Sequence, residues 1–306
     1  MIELREVTKR YGSFTAVQDV SFSVPNGEVY GLVGYNGAGK TTLLKTIAGV
    51  FCPDEGVVLM DGVPVQGDHR PARAPFIVAD EPYFLPQATP EVMRAFYRGY
   101  YWRWSDAVFL RLLDLFGLDP KAKISGFSKG MQRQVVLALA LATGSPCLLL
   151  DESFDGLDLG KRNLFKRLFQ RYALDRDAVV ILSSHNLREL EGAVDRVGMV
   201  EGKRLAFDLT VKELHARYRK YRILDACTPA GLALEVAGIL AASPAVRWFQ
   251  QEKDGYSFVA NASADDLLAR LATLGITELA SFPATLEEIF LSEKEVNVGD
   301  LEGIFA

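Results

Sequence analysis

Two short segments of this 306-residue chain carry residues whose types and spacing can do chemistry. Residues 34–41 read Gly-Tyr-Asn-Gly-Ala-Gly-Lys-Thr, a full match to GxxxxGK[ST], between a strand-like run (Glu28 to Val33) and a helical one (Thr42 to Val50). Glycines at this spacing let successive backbone N–H groups curve around phosphate oxygens without Cβ collisions, and the helix that follows adds its N-terminal dipole. Lys40 is spaced to reach the β- and γ-phosphates and the Thr41 hydroxyl to ligate Mg2+. In the second segment the apolar strand candidate Cys147 to Leu150 runs into Asp151 and Glu152. Ending a buried strand with two carboxylates is costly unless a cation waits there, and Mg2+ is the natural one. Asp151 would hold the metal directly or through a water, and Glu152 would take a proton from an attacking water. The expected ligand is a nucleoside triphosphate with Mg2+.

The elements that must position these residues follow from the hydrophobic pattern. From Met1 to about Phe207, short β-branched or apolar runs alternate with helical stretches, the order of an α/β fold with a mixed or parallel sheet. Glu28 to Val33, Cys147 to Leu150 and Val179 to Ser183 each end where polar residues begin, and open α/β sheets place their sites at the carboxyl ends of strands. Met1 to Val7 and Val17 to Val24 are too close for a crossover helix and predict antiparallel strands. The most apolar stretch, Val135 to Leu150, is interrupted by Gly144, Ser145 and Pro146 before it reaches the ~20 residues of a membrane-spanning helix. The charged start MIELREVTKRYG does not resemble a signal peptide.

Composition narrows the function further. A net charge of −5 is no electrostatic footprint for duplex nucleic acid, and none is expected as partner. Cys52, Cys147 and Cys227 stand apart, with neither a disulfide framework nor a zinc spacing, which fits a reducing compartment. Residues 211–222 hold a basic run, KELHARYRKYR, read as a linker between a domain at 1–210 and another at 223–306. The last 84 residues carry 13 acids against 4 bases, −9, which leaves +4 for the rest. This tail predicts strand (Tyr221 to Ala226), helix (Ala230 to Ala241), strand (Val246 to Gln251), a turn at Asp254-Gly255, and strand (Tyr256 to Ala260). Helix (Ala264 to Leu274), a short strand near Glu278 to Ser281 and helix (Leu286 to Glu293) complete it. That is the split βαβ order of a small ferredoxin-like α+β domain.

A phosphate loop and an acidic strand end set the ligand and not the task. The residues that choose are Phe127-Ser-Lys-Gly-Met-Gln132 before the helical run Arg133 to Thr143, then Ser153-Phe-Asp-Gly-Leu-Asp158, and Ser183-Ser-His185 at the end of the next strand. With them the chain resembles the nucleotide-binding subunit of an ATP-binding cassette (ABC) transporter, over residues 1 to about 207. FSKGMQ keeps Ser128 and Gly130 of the family's LSGGQ signature and departs at Phe127, Lys129 and Met131, a form similar to that of exporter subfamilies, some of which carry an extra C-terminal domain. The resemblance implies a P-loop core of mixed sheet with an antiparallel β subdomain and a helical subdomain at about 83–145. It implies two ATPs sandwiched in a head-to-tail dimer, homo- or heterodimeric. Gly34, Asn36, Gly37, Ala38, Gly39, Lys40, Thr41 and Thr42 of one subunit would face Ser128 and the Gly130 amide of the other.

Tyr11 would stack on adenine, His185 would contact the γ-phosphate, and Asp158 would lie at the dimer interface near the opposite site; Ser128 and Asp158 read equally well as helix N-caps. The family's Q-loop glutamine has no counterpart in Phe76-Ile-Val-Ala-Asp80-Glu81-Pro82, so Asp80 is aligned there as a Mg2+ ligand, with Glu81 as the alternative. Ser153 stands where proline commonly follows the glutamate. The aromatic-rich stretch from Tyr83 to Trp104 is expected to pack on the core or to receive a helix of a membrane subunit. The implied activity is ATP hydrolysis at the cytoplasmic face of the membrane, powering a separately encoded transmembrane permease. A soluble ABC ATPase of translation or DNA maintenance and a small-molecule kinase are the competing readings.

Overall fold

The structure, a computed structural model, describes residues 1–67, 75–224, 232–261, 264–276 and 279–293. Its contacts divide the chain into two units, Met1–Leu209 and Thr210–Ala306. In the first unit, β1 (Ile2–Tyr11) and β2 (Phe14–Val24) form an antiparallel hairpin, because the two residues between them allow nothing longer. With β4 (Glu55–Met60) and β5 (Val63–Pro64) they make a sheet of order β2-β1-β4-β5.

A second sheet has the order β10-β9-β3-β8-β7-β6. Its strands are β3 (Val29–Val33), β6 (Phe76–Val78), β7 (Cys147–Asp151), β8 (Val179–Ser184), β9 (Arg196–Glu201) and β10 (Arg204–Thr210). β3 pairs in parallel with β8 and β9, and β7 with β6 and β8. β3, β7 and β8 are buried along their whole length, so they read as unbroken apolar runs rather than as alternation. One core joins Ile2 and Leu4 of β1 to Leu149 of β7, Ile181 of β8, and Leu43 and Ile47 of α1 (Lys40–Ile47).

Helices α2 (Pro90–Arg98), α3 (Asp106–Phe116) and α4 (Lys129–Ala142) follow β6. The hydroxyls of Thr89, Ser105 and Ser128 cap them, so α4 starts four residues before the expected Arg133. From Arg133 to Ala142 every residue of α4 is buried, which accounts for the most apolar stretch of the chain: a core helix, a tight turn at Gly144, then β7. Among the described residues no helix is long and apolar enough to cross a membrane. The aromatic stretch divides. Tyr97 and Tyr101 pack on Phe76 at 5.6 and 5.5 Å between ring centroids, whereas Tyr83, Tyr100 and Trp102 are exposed. α5 (Leu159–Arg176) and the single-turn α6 (Leu187–Leu190) flank β8 in sequence.

In the second unit, α7 (Val211–Arg217) leads into β11 (Tyr218–Leu224), so residues 211–222 are not a linker. A capping box between Thr210 and Glu213 starts α7. Two of the three bases of β11 are taken up by acids that a sequence window cannot bring near: Lys220 pairs with Glu288 at 2.5 Å and Arg222 with Asp254 at 2.9 Å. β12 (Val246–Glu252), β13 (Gly255–Asn261) and β14 (Ala280–Pro283) join β11 in an antiparallel sheet of order β12-β13-β11-β14. α8 (Ala233–Ala242) and α9 (Asp265–Thr273) put Val236, Leu240, Leu267 and Leu271 against Ile223 and Phe258. This is the split βαβ arrangement, completed by α10 (Leu286–Glu293). β11 starts three residues before expectation and α8 three residues after it, and Ala226, Cys227, Ala230, His69 and Glu278 lie outside the described residues.

Phe169 is fully buried in α5, 6.0 Å from Phe165, which stacks on Phe116 at 4.9 Å. Phe169→Ala is expected to lower the stability of the first unit by about 3–5 kcal/mol, measured by urea denaturation.

Candidate functional site

The strand order places the carboxyl ends of β3, β8 and β7 side by side, and the polar residues gather there. The loop 34–39 leaves β3 and turns into α1 at Lys40. Gly39 has φ +106°, and a Cβ on it would stand 2.6 Å from the Ala16 carbonyl oxygen, so the turn admits glycine alone. Lys40 Nζ, on a side chain only 6% exposed, donates to the carbonyl oxygens of Gly34 at 2.7 Å and Tyr35 at 3.3 Å. Its third oxygen is Glu152 Oε1 at 3.2 Å. Thr41 and Thr42 follow in the first turn of α1, with Asn36, Gly37 and Ala38 in the loop before it.

Asp151 ends β7 in register with Ser183 of β8. The Ser183 hydroxyl donates to Asp151 Oδ1 at 2.6 Å and accepts the Glu152 N–H at 3.1 Å. Glu152 has φ +44°, a left-handed conformation that strains a residue with a Cβ by about 1–3 kcal/mol and is found where the surroundings over-determine it. Those surroundings are visible. Beyond Lys40, its Oε2 meets His185 Nδ1 at 2.9 Å and accepts the His185 N–H at 3.2 Å. Residues from three motifs thus converge on one carboxylate.

Ser128, Gly130 and Asp158 form a second group. Ser128 Oγ accepts the Met131 N–H at 3.2 Å and Asp158 Oδ1 the Lys161 N–H at 2.9 Å, so each caps its helix as read from the sequence. A Cβ on Gly130 would stand 2.6 Å from the Gly156 carbonyl oxygen, so the absence of a side chain lets the start of α4 approach the loop before α5. Tyr11 ends β1 with an exposed ring, edge-on to Phe51 at 5.8 Å.

Asp80 lies on the loop that follows β6. Its carboxylate lies 3.5 Å from Arg133 Nη2, and the buried Arg133 guanidinium also donates to the carbonyl oxygens of Ala79, at 3.0 Å, and of Asp80 itself. Burial pushes the Arg133 pKa down, while the charges of Asp80, Asp155 and Asp151 oppose the shift. In this structure Asp80 faces an arginine of α4, and Glu81 is exposed beside it. Two residues that brace the site escaped the sequence. Ser183 was visible in the Ser-Ser-His run, but only the register of β8 against β7 gives it a partner. Arg133 was marked only by being a charge inside an apolar helix.

The family model "ABC transporter" matches residues 17–155. The ABC transporter ATP-binding protein YtrB of Bacillus subtilis is 26% identical over 293 residues, 96% of this chain and 98% of that protein. The Nod factor export ATP-binding protein I of Burkholderia orbicola is 37% identical over 214 residues, 67% of this chain and 69% of that protein. Among solved structures, the ATP-binding subunit of an ABC transporter aligns with a TM-score of 0.62 at 25% identity, over 70% of this chain and 92% of that one. The chain belongs to the ABC transporter ATP-binding family. It is an ATP-binding and ATP-hydrolysing subunit of that type, and its mixed α/β first unit has the cassette fold.

Ser183→Ala leaves the buried Asp151 carboxylate and the Glu152 N–H each one bond short. It is expected to cost about 1–3 kcal/mol, read as a lowered urea midpoint with unchanged slope.

Proposed function

We propose that this chain binds MgATP as one half of a head-to-tail dimer and hydrolyses it to drive a separately encoded transmembrane permease at the cytoplasmic face of the membrane. The observation that carries the reading is the meeting of Lys40 and His185 on the Glu152 carboxylate. Lys40 holds the phosphate loop through its two carbonyl acceptors and faces the site where β- and γ-phosphates lie. Backbone N–H groups of the loop from Gly34 to Thr42 cradle the phosphates. Glu152 accepts the proton of the attacking water, and His185, held at 2.9 Å, contacts the γ-phosphate. Tyr11 offers its exposed ring to adenine. Ser128 and the Gly130 amide face the ATP of the other subunit, with Asp158 at the interface between subunits.

Among the described residues no cluster of three or more His, Cys, Asp and Glu side chains is placed to hold a metal. A hydroxyl from Thr41 and a carboxylate from Asp151 nevertheless fit Mg2+, which takes one or two protein oxygens and completes its shell with substrate phosphates and water. Bound there, Mg2+ would supply neutralisation of the phosphate charge. Export and transport in the names of the relatives support the coupling to a membrane partner.

Lys40→Ala is expected to abolish ATP binding in an equilibrium titration, and unchanged affinity would defeat the reading. Glu152→Gln retains ATP affinity, slows hydrolysis by about 10²–10⁴-fold, and accumulates a dimer at millimolar ATP in light scattering. A variant that stays monomeric and hydrolyses normally removes Glu152 from the base role.

A further inference from the structure

At the end of β8 three consecutive residues each engage a different carboxylate: Ser183 Oγ donates to Asp151 at 2.6 Å, Ser184 Oγ to Glu189 Oε2 at 3.0 Å, and His185 meets Glu152 at 2.9 Å. Asp151 and Glu152 belong to the nucleotide site. Glu189 belongs to none of the motifs, yet its side chain is only 4% exposed. A carboxylate so buried needs an opposite charge, and Arg162 Nη1 supplies it at 3.0 Å from Oε1.

Arg162 lies one turn into α5, four residues after Asp158, and its Nη2 donates to the Leu157 carbonyl oxygen at 3.4 Å. The same guanidinium therefore touches the loop that carries Asp158 and the carboxylate that anchors the residue before His185. Further along the same face of α5, at steps of four, Lys166 Nζ donates to the Glu191 carbonyl oxygen at 2.9 Å and Gln170 Nε2 to that of Gly192 at 3.0 Å. α6 has only four residues and cannot hold its own place by helix propensity. Its position is set by the burial of Leu187 and Leu190, by this stripe of α5 and by the Ser184–Glu189 bond.

We propose that Glu189 and Arg162 are positioning residues for His185: their ion pair fixes where His185 sits against Glu152 and ties that placement to the loop bearing Asp158. The inference rests on the roles given above to Glu152 and His185. The side-chain polar partners of Glu189 and Arg162 are Ser184, Leu157 and one another, none of them in the phosphate loop, so breaking the pair is expected to slow hydrolysis while leaving ATP binding alone.

The test uses the full chain with Mg2+ and ATP, measuring ATP affinity and the single-turnover rate at saturating ATP, with the thermal midpoint as control. Glu189→Gln is expected to lower the rate about ten- to a hundredfold, as a small misplacement of a reacting group does, and to leave affinity within about twofold. Ser184→Ala, a milder change, lowers the rate in the same direction, and Arg162→Lys keeps most of it. In a His185→Ala background Glu189→Gln is expected to add little, because both act through one group.

The ring NMR signals of His185 in the nucleotide-free chain, identified by their loss in His185→Ala among three histidines, are expected to move in Glu189→Gln and Ser184→Ala. Those of His215 are expected to stay. Unmoved His185 signals, a full rate in Glu189→Gln, or an equal loss with and without His185 would overturn the inference. Full hydrolysis in His185→Ala would instead defeat the reading of the site itself, and this inference with it.

Discussion

A lysine ammonium group removed from water needs oxygen on every side, and much of the first unit is arranged around supplying it to Lys40. Two of its oxygens are carbonyls of the loop that bears it, which must fold back on itself and does so through Gly39. The third belongs to Glu152, at the end of β7, and β7 is not the neighbour of β3: β8 lies between them. The strand that intervenes brings His185 to the same carboxylate. Parallel pairing on both sides of β8 therefore turns three distant motifs into a single hydrogen-bonded row, and the strained backbone of Glu152 is part of what that row holds in place.

Around this row the chain uses charge pairs where a local reading expects other partners. Asp80 faces Arg133, so the loop after β6 is tied to the helix that Ser128 caps. The tie suits a site that must accept a triphosphate, because the guanidinium offsets the carboxylate charge placed in that loop. The same logic governs the second unit, where Lys220 and Arg222 of β11 meet acids of α10 and of the hairpin turn. A segment that reads as a basic linker holds α7 and an interior strand of a sheet.

Much of the fold was legible because its signals are local. The glycine spacing around Lys40, the apolar runs of β3, β7 and β8, and the hairpin of β1 and β2 are patterns within a few neighbouring residues. The start of α4 was misread because a capping hydroxyl at Ser128 outweighs the polar residues Lys129 to Gln132, which by hydropathy look like loop. β11 began earlier than expected for a related reason: its charged residues suit a strand once acids from elsewhere in the fold, Glu288 of α10 and Asp254 of the β12–β13 turn, accept them.

The sequence by itself determined the nucleotide, the identity of Lys40, Asp151, Glu152 and His185 as candidates, and the order of elements that carry them. Only the tertiary structure decided that Ser183 joins Asp151 to the Glu152 backbone, that Asp80 pairs with Arg133, and that Glu189 is neutralised by Arg162. The physical reason is range. A phosphate loop is built by adjacent backbone groups, whereas these pairs join side chains on different elements, and which of them meet depends on strand register and helix packing that no short stretch of residues encodes.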